Sequence, residues 1–323
     1  MEITVLGPGA IGTLLGGLLS LSGHEVTLVG RRLPAHPGLP VRIILPSQWL
    51  MAEGLHYVRA TSEASQNAAA HLVTMARHNL RIVRRPDFSR LTAGQGPVFL
   101  FNCDPSEPQR LALSAERRRF GLTLTTAVKL QEGEVELAAA RSTLVVETHP
   151  ECFVLFGGLK RYGFDVLQVE DALPFMNAFF LTQLLFLPVA LCNLTLSAFL
   201  AAPEGRELAY NVLQEGFLTM EKAGQPLASL PDMDPRELLA RLEKKPQSFL
   251  VGQDKPDRAY NTLLQSYLRG RQVESAHLNR RLVEIASSAG QRLVWNWRIV
   301  QKAGRVAGTG FYRDPAELLR SLQ

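Results

Sequence analysis

The stretch EITVLGPGAIG, residues 2–12, sets three glycines between two kinds of hydrophobic pattern. Residues 2–6 are a short continuous apolar and β-branched run, the pattern of a strand buried on both faces. Residues 10–22 are permissive of a helix, Gly23 supplies its stop, and HEVTLVG, residues 24–30, reads as the next strand. One βαβ unit therefore fits into about 30 residues. In G-x-G-x-x-G the first glycine (Gly7) permits the tight turn and the second (Gly9) lets a pyrophosphate approach the backbone. The third (Gly12) lets helix and strand pack closely, and the helix N-terminus then faces the phosphates. This predicts dinucleotide binding by Gly7, Gly9, Ala10, Ile11 and Gly12, the other reading being a purely structural turn. About 20 residues on, an NAD site carries Asp or Glu for the ribose hydroxyl. This chain has Gly30, Arg31 and Arg32. A guanidinium suits a 2′-phosphate, so NADPH is the expected cofactor, the alternative being two solvated loop charges.

Outward from that unit, further strand-like segments recur: VRIIL near 41, HLVTMA near 71, PVFLFN near 97, TLTTAV near 122, STLVVET near 142 and CFVLFGG near 152. The proline-rich RRLPAHPGLP, residues 31–40, reads as an irregular loop. From Asp171 the pattern becomes helical. DPRE at 234–237 and DPAE at 314–317 read as capping boxes, each with an N-cap Asp and proline at the first helical position. The expected fold is α/β: a doubly wound Rossmann-type domain over 1–170, then an all-helical substrate or dimerisation domain over 171–323.

Composition narrows the function classes. The 323 residues are 46% hydrophobic and 20% charged, which is globular composition. The net charge of +5 is mild, and basic clusters such as Arg117, Arg118 and Arg119 have no interleaved aromatics, so they read as solvated surface and not as a nucleic-acid site. Three widely spaced cysteines, Cys103, Cys152 and Cys192, argue against a disulfide framework. His149 and Cys152 have no second ligand pair at zinc spacing. The N-terminus starts a strand with no signal-like segment, so a cytoplasmic protein is expected. Residues 172–203 contain no charged residue, long enough on paper to cross a bilayer. Asn177, Thr182, Gln183, Asn193, Thr195 and Ser197 interrupt the run and Pro188 breaks it, which favours a buried helix over a membrane span.

GPGAIG followed by GHEVTLVGRR resembles the ketopantoate reductase (2-dehydropantoate 2-reductase) family, NADPH-dependent enzymes of pantothenate biosynthesis with a Rossmann domain and a helical C-terminal domain. HLVTMAR, residues 71–77, resembles the family strand ending in a cofactor-side lysine, here Arg77. FNCDPSEPQRL, residues 101–111, resembles the Asn-Gly turn near the nicotinamide, with Asn102 matching and Cys103 in place of glycine. PQSFLVGQD, residues 246–254, puts Ser248 at a substrate-side serine. GRQVES, residues 270–275, puts Glu274 at the substrate-binding glutamate. The resemblance implies a small-molecule keto substrate, a monomer or homodimer, and no nucleic-acid or membrane partner.

In the family an acidic residue is followed eight positions later by the catalytic lysine, then by two asparagines at spacings of four, the second preceding a proline. Laid from Asp171, this register reaches Phe179, Gln183 and Leu187, with Pro188 in the proline's place. On one helix, positions i, i+4 and i+8 share a face. Phe179 and Leu187 are thereby expected against the substrate, and Gln183 as a polarising partner beside Asn102 and Glu274. Phenylalanine can supply neither the proton nor the cation that carbonyl reduction needs at oxygen. The resemblance therefore implies either an oxidoreductase with another keto substrate or a dinucleotide-binding protein without turnover.

Overall fold

The computed structural model describes residues 1–30, 38–59, 64–65, 67–74, 94–103, 113–125, 127–137, 142–231, 234–244, 276–309 and 311–323. Arg31, Arg32, Arg77, Ser248 and Glu274 lie outside the described residues. The chain divides into two compact units, Met1–Met176 and Asn177–Gln323.

In the first unit, β1 (Glu2–Leu6) leads into α1 (Ala10–Leu21), which returns to β2 (Glu25–Val29) lying parallel to β1. Ile3, Thr4 and Val5 are fully buried, as a strand covered on both faces requires. Gly23, at φ +90°, ends the helix in the left-handed conformation. Then follow β3 (Val41–Ile44), β4 (Trp49–Ala52), β5 (Leu55–Val58), β6 (Ala70–Val73), β7 (Val98–Phe101), β8 (Arg118–Leu124), β9 (Ala127–Gln131), β10 (Glu134–Leu137), β11 (Ser142–Glu147) and β12 (Phe164–Val169). Eight of them form one sheet in the order β12-β11-β8-β7-β6-β1-β2-β5. Only the β8–β11 pair is antiparallel in it. The order runs outward from β1 in both directions, the doubly wound arrangement expected from the sequence.

A second sheet, β4-β3-β10-β9, covers the outer side of α1. Leu14, Leu15 and Leu18 of the helix share one buried cluster with Val41 and Ile43 of β3 and Val135 and Leu137 of β10. The helix is thus held between two sheets, which explains why its apolar residues surround it.

Two expectations change on folding. CFVLFGG is helical: α2 spans Cys152–Phe156 and a 3-10 turn continues over Gly157–Tyr162. The burial decides it, since Cys152, Leu155 and Phe156 are inside while Phe153 and Val154 face solvent, a 3–4 spacing in place of strand alternation. Arg117 is not simply a solvated charge: its Nε and Nη2 both donate to the Gly96 carbonyl, at 2.9 and 2.8 Å. Burial lowers its pKa.

After β12 every described element is helical: α3 (Leu173–Gln183), α4 (Phe186–Leu191), α5 (Leu196–Ala201), α6 (Pro203–Lys222), α7 (Pro235–Glu243), α8 (Ala276–Ser288), α9 (Trp295–Thr309) and α10 (Pro315–Leu322). The two capped starts form as the sequence predicts: Asp234 accepts from Arg236 N and Asp314 from Glu317 N, both at 2.7 Å. In the helical core, the Glu215 carboxylate on α6 accepts the backbone N–H groups of Val294, Trp295 and Asn296, capping α9 from a distant helix.

Candidate dinucleotide site and the altered helical segment

The loop between β1 and α1 has the geometry its glycines permit. Gly7 takes φ +98°, closed to most side chains. At Gly12 a Cβ would lie 2.2 Å from the Gly7 carbonyl oxygen and 2.4 Å from Thr74 Oγ1, so helix and loop can be this close only without one. Thr74, just beyond β6, donates to the carbonyls of Gly7 (2.8 Å) and Leu6 (3.2 Å) and ties the turn down. Around Gly9 the opposite holds: a Cβ there would meet no atom within 4 Å. Gly9 is the N-cap of α1, no side chain caps the helix, and its first turn has no acidic residue. Among the described residues the positive end of the helix therefore opens onto free space without a neutralising group. That arrangement fits a pyrophosphate, which would accept the first-turn amides of Ala10, Ile11 and Gly12. Ala10 and Ile11 are both partly exposed beside it.

Lys129 adds a cation to this loop. Its Nζ donates to the Pro8 carbonyl at 3.3 Å, and burial lowers its pKa against an opposing pull from Glu132. Sequence reading missed both Thr74 and Lys129. The available signal for Lys129 was its place inside a strand-like segment, but nothing local shows which way that side chain points.

Asn102 sits at φ +52°, a left-handed position that asparagine tolerates better than most residues. Its side-chain amide pairs with β8, Nδ2 donating to Thr123 Oγ1 (2.6 Å) and Oδ1 accepting Thr123 N (2.9 Å). In this conformation the amide braces the ends of β7 and β8.

The uncharged segment is not one helix. It breaks at Leu184 and Leu185, between α3 and α4. Pro188 has no N–H to offer the Leu184 carbonyl four residues back. That carbonyl accepts instead from Asn279 Nδ2 at 3.1 Å, which leaves the break satisfied. Leu187 is fully buried in the helical core. Phe179 is partly exposed, and its carbonyl accepts from Thr182 Oγ1 (2.8 Å) and Gln183 Nε2 (3.4 Å). Asn177 donates to the Pro226 carbonyl at 3.0 Å. These polar residues serve backbone acceptors inside the protein. Leu173–Leu191 is long and apolar enough to cross a membrane, with a mean hydropathy of 1.6, yet its apolar window is 67% buried within the protein. It is accounted for as a core segment.

Elsewhere, His149 Nδ1 accepts from Glu151 N and Cys152 Sγ donates to the Glu147 carbonyl. Among the described residues no three metal-ligating groups gather. An open cavity of about 370 Å³ is lined by Asn67, Gly96, Pro97 and His149 among others. It lies at the N-terminal ends of β6 and β7, whereas open α/β sheets bind ligands beyond the carboxyl ends of their strands. The glycine loop is the better placed of the two.

Comparison with known proteins gives matches in both units. A family model described as ketopantoate reductase PanE/ApbA matches residues 3–36, and that for the C-terminal part of the same family matches residues 187–306. A curated 2-dehydropantoate 2-reductase from Pyrococcus horikoshii is 25% identical, over 95% of this chain and 99% of that one. Among solved structures, a ketopantoate reductase of the PanE/ApbA family from Ralstonia eutropha superposes with a TM-score of 0.74 at 16% identity, covering 96% of this chain and 99% of its own. A D-mandelate dehydrogenase bound to NADH and anilino(oxo)acetate reaches 0.78 at 14% identity, with the same coverage. The phosphate loop, the strand order, the helical second unit and the two matching segments agree in one likeness: the chain is similar to the ketopantoate reductase family in both of its units.

Proposed function

We propose that this protein is an NADPH-dependent oxidoreductase that transfers a hydride to a small keto substrate other than ketopantoate. The observation that carries the cofactor part is the cradle at Gly7, Gly9 and Gly12, with free space at Gly9 against an uncapped helix N-terminus. Bound there, the nicotinamide cofactor supplies the hydride. The loop amides hold its phosphates, Arg31 and Arg32 select the 2′-phosphate, and Arg77 is a further cofactor-side residue. The NADH-bound D-mandelate dehydrogenase supports a nicotinamide cofactor in this fold but not the choice of phosphate. Glu274 and Ser248 position the substrate.

The substrate part rests on Phe179 in the place of the family's catalytic lysine. No lysine or arginine occurs from Ala172 to Pro203 to take over its charge. A second reading, a dinucleotide sensor without turnover, draws on one observation: the Gln183 amide, the nearest polar group to Phe179 in the register, commits one of its two N–H groups to the Phe179 carbonyl at 3.4 Å. The buried free thiols suit a reducing, cytoplasmic setting.

Titration with NADPH and NADH tests the cofactor. NADPH should bind more tightly, and Arg31→Ala should remove most of the preference. Equal affinities in the parent protein reject the NADPH assignment. NADPH oxidation against a panel of 2-keto acids then separates enzyme from sensor, since binding without turnover on any of them favours the sensor.

A further inference from the structure

Lys129 lies on β9, and its strand partner in β10 is Val135, which is fully buried in the cluster formed with α1. The neighbouring pair, Val128 and Glu136, belongs to the opposite face of the sheet. Lys129 is therefore on the side of the second sheet that covers the helix, and its ammonium reaches the Pro8 carbonyl, between Gly7 and Gly9. An ammonium has three N–H donors, and Pro8 occupies one. Among the described residues Lys129 forms no ion pair, although Glu132 exerts some attraction at longer range.

Two positive features thus converge on one loop, the uncapped N-terminus of α1 and a partly buried ammonium that forms no ion pair among the described residues. Partial burial of an ammonium is costly, and its burial-lowered pKa expresses that cost. A diphosphate resting on the loop would relieve both. Resting on the dinucleotide reading above, we propose that Lys129 is a further cofactor-binding residue, its ammonium held on the Pro8 carbonyl so that its remaining N–H groups meet the pyrophosphate of the bound dinucleotide.

The competing role is mechanical: Lys129 only fastens the loop. Gln can keep a hydrogen bond to Pro8 without the charge, Met keeps the length alone, and Arg keeps the charge. The full-length protein and the variants Lys129→Met, Lys129→Gln and Lys129→Arg are titrated with NADPH and with NADH at several salt concentrations, after thermal unfolding confirms that each is folded. A charge-assisted contact predicts that Lys129→Met and Lys129→Gln weaken both cofactors by a common factor of roughly ten, with a flatter salt dependence, while Lys129→Arg stays close to the parent. Parent-like affinity in Lys129→Gln assigns the residue to loop fastening and overturns the inference. A loss confined to NADPH places the charge at the 2′-phosphate and also overturns it. If the parent binds neither dinucleotide, the cofactor reading itself fails and the inference falls with it; if the parent binds and Lys129→Met binds equally well, the inference alone fails.

Discussion

Gly9→Ala and Gly12→Ala, one methyl group three residues apart, should fail in opposite ways. At Gly12 the new Cβ would sit 2.2 Å from the Gly7 carbonyl oxygen, a backbone atom, and 2.4 Å from a threonine hydroxyl that is itself hydrogen-bonded to the loop. Neither can move without separating α1 from β1. Overpacking of a tight site costs about 1–3 kcal/mol, and a backbone obstacle puts this case near about 3. In a protein of 323 residues, at about 2.1 cal/mol/K of unfolding entropy per residue, that is a fall in Tm of about 4–5 °C. At Gly9 the Cβ would meet nothing within 4 Å, and φ −73° suits alanine. The loss of glycine at an N-cap is then offset by about 0.4–1 kcal/mol from the less flexible unfolded chain, so Tm should hold. The space that methyl enters is where the pyrophosphate approaches, so NADPH affinity should fall by about tenfold or more, the loss of roughly one charge-assisted hydrogen bond. Differential scanning calorimetry and fluorescence titration of the two variants separate the effects. A Gly9→Ala protein that binds NADPH as the parent does would refute the placement of the phosphates. A Gly12→Ala protein with parental Tm would refute the packing argument.

Phe179→Lys should raise ketopantoate-dependent NADPH oxidation above the parent's, because a single preorganised donor is worth roughly 100- to 1,000-fold in rate. A parent that already turns over ketopantoate at about 1–1,000 per second removes the premise. Glu215→Ala should destabilise the helical unit by about 2–4 kcal/mol, since its carboxylate holds three backbone N–H groups at the start of α9 as well as Asn296 Nδ2. Urea unfolding measures the change, and a loss under 0.5 kcal/mol contradicts the capping role. Cys103, Cys152 and Cys192 are all buried, and burial pushes the Cys192 thiol up to about 12 and raises that of Cys152. A thiol-specific chromogenic reagent near neutral pH should therefore react slowly with the native protein and with all three groups after unfolding; rapid native labelling of Cys192 would contradict its burial.

Where a residue's role depends on its immediate neighbours in sequence, the sequence was sufficient. Strand, glycine turn and helix at 2–29, the capped starts at Asp234 and Asp314, and the change to helices after β12 were all legible, because local propensity and tertiary environment point the same way there. Only the tertiary structure decided the rest. CFVLF is short enough to be strand or helix, and packing of Cys152, Leu155 and Phe156 selected the helix. Pro188 announced a break, but where it fell and how the freed Leu184 carbonyl was satisfied depended on Asn279, 95 residues away. The family register treats 171–188 as one helix, and the burial of Leu187 in the helical core came from the structure. Lys129 reaches Pro8 across 121 residues and from a different sheet. Its direction follows from which face of β9 is covered by α1, and a sequence pattern gives the alternation of faces without saying which one is covered.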